Sequence, residues 1–215
     1  MNDSPETESM QRVAAYIDGF NLYYGLRSKG WKRYYWLDMP KLVQLLLRPG
    51  QELVLCHYFT AHIASSNHGH QDQQRQKIWL EAVEHHGGVQ MHFGKYLVKQ
   101  RQCRQCGHAI TQPEEKMTDV RIATQMLMDA FNNAFDVALL ISGDSDLKPP
   151  LESIRKQFST KKLLVAFPPG RISNDLKQVA HAHFVIGRNK FRDAQMPDEI
   201  TKPDGYVLQR PSSWR

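Results

Sequence analysis

Short runs of apolar residues recur along the chain, separated by longer segments of mixed polarity. The most continuous run is DVALLIS at 136–142, and a strand that is apolar at nearly every position is typical of a parallel strand covered on both faces. Five further runs predict strands by their length and apolar content. They are VAAYID (13–18), ELVLCHYFTA (52–61), VQMHFGKYLV (89–98), KKLLVAF (161–167) and HFVIG (183–187).

The segments between these strands have helical spacing. Between residues 118 and 133, apolar residues recur on one stripe that opens with Asp119. Four other segments also predict helices, namely 39–47, 70–87, 150–158 and 173–181. Since strands alternate with helices, the pattern predicts an α/β fold with a central, mostly parallel sheet flanked by helices.

Three segments fall outside this alternation. Residues 1–11 are polar and predict a disordered N-terminal tail, and residues 188–215 predict a C-terminal tail or a strap over the surface. An irregular insertion that contains cysteines is expected at about 99–115. The remainder, 12–187, is expected to form one domain.

Charge and cysteine content bear on the partners and the cellular compartment that we expect for the protein. The formal net charge of +6 is a moderate lean toward polyanionic partners and leaves a basic, non-binding surface equally open. The chain has three cysteines and no apolar leader, so we expect a reducing, cytoplasmic location. No apolar run approaches the roughly 18 residues that a membrane span needs, so no membrane partner is expected.

Four aspartates fall where an α/β sheet gathers its functional groups. Asp18 ends the first predicted strand, Asp144 and Asp146 follow the DVALLIS strand, and Asp119 starts a helix expected at the same edge. Each has an ordinary explanation: Asp18 as a turn residue, Asp119 opposing a helix dipole, and the other two as helix caps. Of the last two, Asp144 is the better metal ligand, and Asp146 is expected to owe as much to capping as to chemistry.

Taken together, the four carboxylates favour a cation. They would repel one another at one sheet edge unless protons or a metal ion held them together. Hard carboxylate oxygens suit Mg²⁺ or Mn²⁺, which can activate a water and stabilise charge on a phosphodiester.

Three stretches, in the same order along the chain, resemble the NYN domain family, a branch of the PIN-like nucleases. They are YIDGFNLYYGL (16–26), EKMTDVRIATQMLMDAF (115–131) and FDVALLISGDSDLKPPLESIR (135–155). The resemblance extends over about residues 12–187. It implies a three-layer PIN-like fold and metal-dependent cleavage of RNA, with a single strand as the favoured substrate.

The resemblance also implies roles for particular residues. Asp18, Asp119, Asp144 and Asp146 would form the acidic cluster, with the first three as ligands of Mg²⁺ or Mn²⁺. Asn21 would steady the first loop, and Ser142 would line the same pocket. Many relatives carry a further acidic residue at the position of Gln125, so a second metal ion is in question.

The motif CRQCGH brings Cys103 and Cys106 to the spacing of half a zinc site. The other half is not evident in the sequence; His108, or Cys56, His57 and His92, would have to reach it. A reduced cysteine loop without metal is the alternative, and it is the one we favour over Zn²⁺.

Basic and aromatic residues interleave in LRSKGWKRYYW (26–36). Its basic residues could follow phosphates and its aromatic rings could stack on bases, or the rings could fill the core. The expected RNA-binding side chains are Arg27, Lys29, Lys32, Arg33, Arg101, Arg104 and Arg121.

The sequence therefore predicts a metal-dependent endoribonuclease, a hydrolase of single-stranded RNA. The alternative is a non-catalytic RNA-binding or regulatory module with the same fold. A phosphatase using the acidic loop is a third hypothesis, but the chain has no recognisable nucleophile motif for it. A homo-oligomer is left open.

Overall fold

The computed structural model describes residues 10–62, 70–102, 106 and 109–215. The strands are β1 (Gln11–Asp18), β2 (Gln51–Thr60), β3 (Gln90–Phe93), β4 (Lys95–Gln102), β5 (Ala109–Lys116), β6 (Val137–Ile141), β7 (Lys162–Phe167), β8 (Ala182–Val185), β9 (Glu199–Thr201) and β10 (Val207–Gln209). The helices are α1 (Gly19–Ser28), α2 (Met39–Gln44), α3 (His70–His86), α4 (Thr118–Phe131), α5 (Lys148–Gln157), α6 (Asn174–Val179) and α7 (Arg188–Asp193).

Six strands form the central sheet in the order β3-β2-β1-β6-β7-β8, and every neighbouring pair is parallel. Alternate residues of β1 supply the two cores. Val13, Ala15 and Ile17 pack with α1, α2, α3 and α7 on one face. Ala14 and Tyr16 pack with α4, α5 and α6 on the other. The predicted α/β fold with three layers is confirmed.

The central strands owe their position to their composition. All five residues of β6 are buried, as are the last six of β1, because helices cover both faces of the sheet. The strand β6 joins β1 directly, with Ile17 opposite Ile141. The ends of these two strands, and the loops that leave them, therefore lie side by side.

The expectation of an irregular segment at 99–115 is wrong in part. Strands β4 and β5 pair antiparallel as a separate two-stranded sheet, with Lys95 opposite Lys116. The single strand expected at 89–98 is instead split at Gly94, whose N–H donates to Thr60 O at 2.7 Å and ends the pairing with β2. The polar composition hid these strands, because ladder hydrogen bonds join backbone groups whatever the side chains are.

The two ends of the chain are more ordered than expected where the structure describes them. Residues 1–9 lie outside the described residues, but Gln11 already belongs to β1. The segment 188–215 forms α7, the β9–β10 hairpin and a final turn at Ser212–Trp214. It packs as a strap, since Phe191 and Trp214 are buried in the core on the side of α1. Across the described ranges, no helix is both long and apolar enough to cross a membrane.

Candidate functional site

Asp18 occupies the corner between β1 and α1. Its backbone is still extended, and its carboxylate caps α1 by accepting a hydrogen bond from the Asn21 backbone N–H at 3.0 Å. The Asn21 side chain donates a second bond to Asp18 Oδ2 at 2.7 Å. This carboxylate is only 2% exposed, so its orientation is fixed by the cap and by its neighbours.

Ser142 joins this corner to the loop after β6. Its hydroxyl donates to Asp18 Oδ2 at 2.8 Å and accepts from the Asp144 N–H at 3.0 Å. The N–H of Gly143 donates to Asn21 Oδ1 at 3.2 Å, which gives the two loops a second link. The carboxyl ends of β1 and β6 are therefore tied into one polar unit, as the sequence predicts for neighbouring parallel strands.

The pKa of Asp18 is affected by its burial and by its neighbours. Burial raises the pKa of Asp18, and the nearby charge of Asp144 raises it further. The hydrogen bonds from Asn21 and Ser142 act in the opposite direction but do not cancel the effect of burial. The ionised form of Asp18 is thus a costly one, and a positive charge beside it would stabilise it.

Of the two aspartates for which a capping role was open, Asp144 takes it. Asp144 is the cap of the short turn Ser145–Leu147, because its Oδ1 accepts the N–H of Asp146 at 3.0 Å. Asp146 itself is exposed. The backbone N–H two residues after an N-cap has no partner within the helix. Because the N–H of Asp146 is such a group, the side chain of Asp144 can cap it.

Asp119 lies in the first turn of α4 and is partly buried. That helix packs against β1, the strand that ends at Asp18, and against the turn Ser145–Leu147, which Asp144 caps. Within the described ranges, no three His, Cys, Asp or Glu side chains are grouped so that they could hold a metal ion. Asp119 as a third ligand remains a prediction.

The donor chemistry at this edge nevertheless fits a hard divalent cation. Mg²⁺ is usually held by one or two carboxylates, and waters and phosphate oxygens complete its octahedron. Asp18 and Asp144 supply two carboxylates from loops that Ser142 links, and the raised pKa of Asp18 marks a buried charge that a cation would offset.

The predicted RNA-binding side chains fall in several places. Arg27, Lys29, Lys32 and Arg33 are exposed at the end of α1 and in the loop that follows it, and Arg121 is partly buried on α4. Arg101 lies on β4, and Arg104 lies outside the described residues. The exposed cations begin less than three helical turns from Asp18 along α1.

Arg171, which was not identified from the sequence, lies against the loop that follows β6. A Cβ on Gly143 would lie 2.5 Å from Arg171 O, so the loop after β7 packs directly against the loop after β6. The exposed guanidinium of Arg171 stacks over the Tyr24 ring at 5.6 Å. The sheet-edge rule that identified Asp18 and Asp144 also applies to the end of β7 and could have found it.

The aromatic residues of segment 26–36 are largely structural. Trp36 and Tyr34 are buried, and the Trp36 indole donates to Pro197 O at 2.7 Å. Trp31 and Tyr35 are partly buried and pack against the same core. The core explanation therefore holds for Trp36 and Tyr34.

The predicted zinc site cannot be assembled from the described residues. Cys103 and His108 lie outside them, and Cys106 is exposed and free of a disulfide. Cys56 is buried in the core, which raises the pKa of its thiol to about 12. The zinc hypothesis is left as a prediction for Cys103 and Cys106 alone.

His57 and His92 take part in a different polar network, one that sequence reasoning missed. His57 Nδ1 lies 3.0 Å from His92 Nε2, and His57 Nε2 lies 3.1 Å from Asp129 Oδ2. Asp129 also accepts hydrogen bonds from the Tyr16 hydroxyl at 2.7 Å and from the Gln125 amide at 2.9 Å. Gln125 thus supports Asp129 rather than extending the acidic site.

The parallel six-stranded sheet with helices on both faces is the three-layer arrangement expected of a PIN-like protein. The chain belongs to the NYN domain family, whose sequence model matches residues 12–187. Membership supports an RNA-related, nuclease-like function at this coarse level.

Two characterised proteins are similar along nearly the whole chain. One is the 6-hydroxy-3-succinoylpyridine 3-monooxygenase HspA of Pseudomonas putida, 28% identical, with 94% of this chain and 75% of HspA covered. The other is the low amplitude and bright protein LabA of Synechococcus elongatus, 24% identical, with 91% of this chain and 92% of LabA covered. The name of HspA describes a monooxygenase and the name of LabA describes no reaction, so these similarities assign no activity here.

A solved structure shares the fold. It is a protein of unknown function, VPA0982, from Vibrio parahaemolyticus, with a TM-score of 0.55 and 22% identity. The match covers 86% of this chain and 98% of that one. At this identity the likeness supports the architecture alone.

Proposed function

We propose that this protein is a divalent-cation-dependent endoribonuclease that hydrolyses phosphodiester bonds in single-stranded RNA. The observation that carries the proposal is the double role of Ser142, which binds the buried carboxylate of Asp18 and the backbone of Asp144 at once. The carboxylate of Asp18 and the backbone of Asp144 are thereby linked at neighbouring strand ends. Family membership supports nuclease-type chemistry there.

Each residue of the site has a physical task. Asn21 and Ser142 hold Asp18 by three hydrogen bonds, so its carboxylate has one orientation before any ligand arrives. Asp144 brings the second carboxylate, and Asp119 would approach from α4. Mg²⁺ or Mn²⁺, when bound, would supply Lewis-acid stabilisation of the phosphate and a more acidic water.

A basic approach to this acidic centre is needed, because bare carboxylates repel a phosphodiester strand. Arg171 lies against Gly143, and Arg27 and Lys29 are exposed at the far end of α1. These side chains would hold phosphates on either side of the bond to be cleaved. The formal charge of +6 fits such a partner.

A second candidate function is RNA binding without cleavage. It is favoured by one observation: within the described parts of the chain, no group of three metal-ligating side chains is assembled. A site with two linked carboxylates could bind a cation weakly and position an RNA strand without hydrolysing it.

The test compares cleavage of labelled single-stranded RNA in Mn²⁺ by the wild type and by Asp144→Asn. Asparagine keeps a side-chain oxygen to accept the N–H of Asp146, so the turn survives while one carboxylate charge is lost. We expect cleavage to fall by at least about a hundredfold, in line with the loss of an electrostatic catalytic group.

The matched control is Asp204→Asn. Asp204 lies in the turn between β9 and β10, and its side chain likewise accepts a hydrogen bond from a backbone N–H, that of Tyr206. This variant should cleave as the wild type does. Equal cleavage by Asp144→Asn and the wild type would defeat the nuclease proposal. RNA binding by all three proteins with no cleavage by any would favour the second candidate.

A further inference from the structure

A cavity of about 100 Å³ lies beside the acidic edge, between α1, β2, α3 and the C-terminal turn. Aromatic side chains are prominent in its wall, among them Tyr23, Tyr24, Tyr35, Tyr58, Trp79 and Trp214. Asp72 and Gln76, from the first turns of α3, add polar groups. The nuclease proposal makes no use of this cavity.

The cavity shares a wall with the acidic site. Gly19, the residue directly after Asp18, lines it, and a Cβ at Gly19 would lie 2.5 Å from Tyr58 Oη. Tyr58 also feels the neighbouring carboxylate, because its pKa is raised by burial and then by the charge of Asp18. A molecule in the cavity would therefore lie one residue away from the Asp18 corner.

The size and lining of the cavity limit what can enter. A cavity of roughly 150 Å³ holds one benzene ring, so a partly open one of about 100 Å³ admits at most a single six-membered ring and excludes a bicyclic base. Tyrosine and tryptophan rings favour stacked or edge-on contact with another planar ring. The lining is thus suited to a flat, one-ring group.

Two residues of the wall each have a buried polar atom without a hydrogen-bond partner in the described part of the chain. The Tyr35 hydroxyl and the Trp79 indole N–H are both buried and have no hydrogen-bond partner among the described residues. A buried donor without a partner is costly, and such donors call for an explanation. An acceptor on the edge of a bound ring would satisfy them after small rotations of the wall side chains, which binding commonly induces.

We propose that this cavity binds one planar six-membered heteroaromatic ring whose edge carries hydrogen-bond acceptors, a group with the size and chemistry of a pyrimidine base. The ring stacks among Tyr23, Tyr35 and Trp79, and its acceptors face the donors of the wall. The proposal stands on the cavity and its donors and does not depend on phosphodiester cleavage.

The ring can come from two sources, a base within an RNA strand or a free nucleoside. The experiment therefore titrates the full-length protein, without divalent cation, with hexauridylate, with uridine and with a ribose-phosphate oligomer that carries no bases. The readout is the indole N–H resonance of Trp79 in a ¹H–¹⁵N spectrum, assigned by its loss in Trp79→Phe. We expect the two probes with bases to shift it and the oligomer without bases to leave it unchanged.

A blocking variant tests whether the shift comes from the cavity. Asp72 is partly exposed at the first turn of α3, so Asp72→Trp would place a large ring over the cavity without entering the core. Glu84→Trp adds the same ring at an exposed position farther along α3 that does not line the cavity. We expect Asp72→Trp to weaken binding of the base-containing probes about tenfold or more and Glu84→Trp to bind them normally.

The outcomes separate the sources and decide the proposal. A shift with hexauridylate alone supports it and assigns the ring to an RNA strand. A shift with uridine, alone or with the strand, supports it and assigns the ring to the base itself. No shift with either probe, or equal binding by Asp72→Trp and Glu84→Trp, overturns it. Because no cation is present and no bond is cleaved, these results are independent of the Asp144→Asn assay.

Discussion

The hydroxyl of Tyr16 donates a 2.7 Å hydrogen bond to Asp129 Oδ2, and this contact fastens the centre of the sheet to α4. Tyr16 is fully buried on β1, and Asp129 is 7% exposed near the end of the helix. The same helix carries Asp119 in its first turn, so the contact helps to fix the helix on which that carboxylate lies. Burial raises the pKa of the Tyr16 phenol, and the charge of Asp129 raises it further, which keeps the hydroxyl a donor.

Replacing Tyr16 with phenylalanine tests this link. The ring and its packing remain, but Asp129 loses one of its hydrogen bonds in a buried setting. We expect the free energy of unfolding to fall by about 2 kcal/mol, since hydrogen bonds to charged groups are worth more than neutral ones. Urea denaturation measures the loss. Tyr206→Phe, at a position that is 60% exposed, is the control and should be neutral.

Acidification should destabilise the protein through His92. Burial lowers the pKa of His92, and the charges of His57 and Arg121 lower it further, while Asp129 acts weakly in the opposite direction. A histidine whose pKa is lowered on folding binds its proton more readily in the unfolded chain, so stability is lost as pH falls below the unfolded value of about 6.5. We expect the melting temperature of the wild type to drop more steeply between about pH 7 and about pH 5 than that of His92→Gln.

The histidine resonances give a direct check on that prediction. An NMR titration should place the His92 pKa below the ordinary value and identify it by its absence in His92→Gln. A His92 that titrates at or above about 6.5, with parallel melting curves for the two proteins, would contradict the assignment.

Much of the fold could be predicted from local pattern, and the reason is burial. A strand such as Val137–Ile141, covered on both faces, must be apolar throughout, and that pattern is visible without any structure. The meeting of Asp18 with the loop of Asp144 followed from one further rule, that parallel strands end at a common edge. No side-chain geometry was needed for either inference.

The features that escaped prediction depend on strand order and register. His57 and His92 meet because β2 pairs with β3, and Asp129 meets them from a helix that is distant in sequence. Arg171 joins the site because β7 follows β6 in the sheet. Which of Asp144 and Asp146 caps the turn depends on backbone angles there, which residue type alone does not determine.

The close approach of the loops after β6 and β7 can be tested at Gly143. A methyl group there would lie 2.5 Å from Arg171 O, which is backbone and cannot move aside cheaply. We expect Gly143→Ala to cost about 1–3 kcal/mol and to weaken the bond from its N–H to Asn21, with a matching loss of nuclease activity. Thermal unfolding and the RNA assay measure the two effects.

Gly187→Ala is the matched control for that substitution. Its methyl group would meet only the side-chain oxygen of Asn189, at 2.8 Å, and that side chain can rotate away. We expect a change in the free energy of unfolding within about 1 kcal/mol and unaltered activity. An equal loss of stability in both glycine variants would contradict the prediction that Gly143 is needed for the close contact between the two loops.

The C-terminal strap should contribute substantially to stability through Trp214. Its indole packs edge-on against Tyr35, with ring centroids 5.5 Å apart, and lies 6.5 Å from Trp36. Arg210 donates to the Trp214 carbonyl at 2.7 Å and so holds the end of the chain in place. We expect Trp214→Ala to lower the free energy of unfolding by about 3 kcal/mol, because it leaves a cavity among buried rings.

Tyr206→Ala removes an aromatic side chain from the same strap where it is exposed, and it should cost less than about 1 kcal/mol. The bonds among Asp18, Asn21 and Ser142 involve no residue of the strap, so RNA cleavage by Trp214→Ala should persist at temperatures where the variant is folded.

Uridine binding by Trp214→Ala should nevertheless weaken, because Trp214 lines the aromatic cavity. If Trp214→Ala has normal stability and binds uridine normally, the strap contributes neither to the free energy of unfolding nor to the cavity.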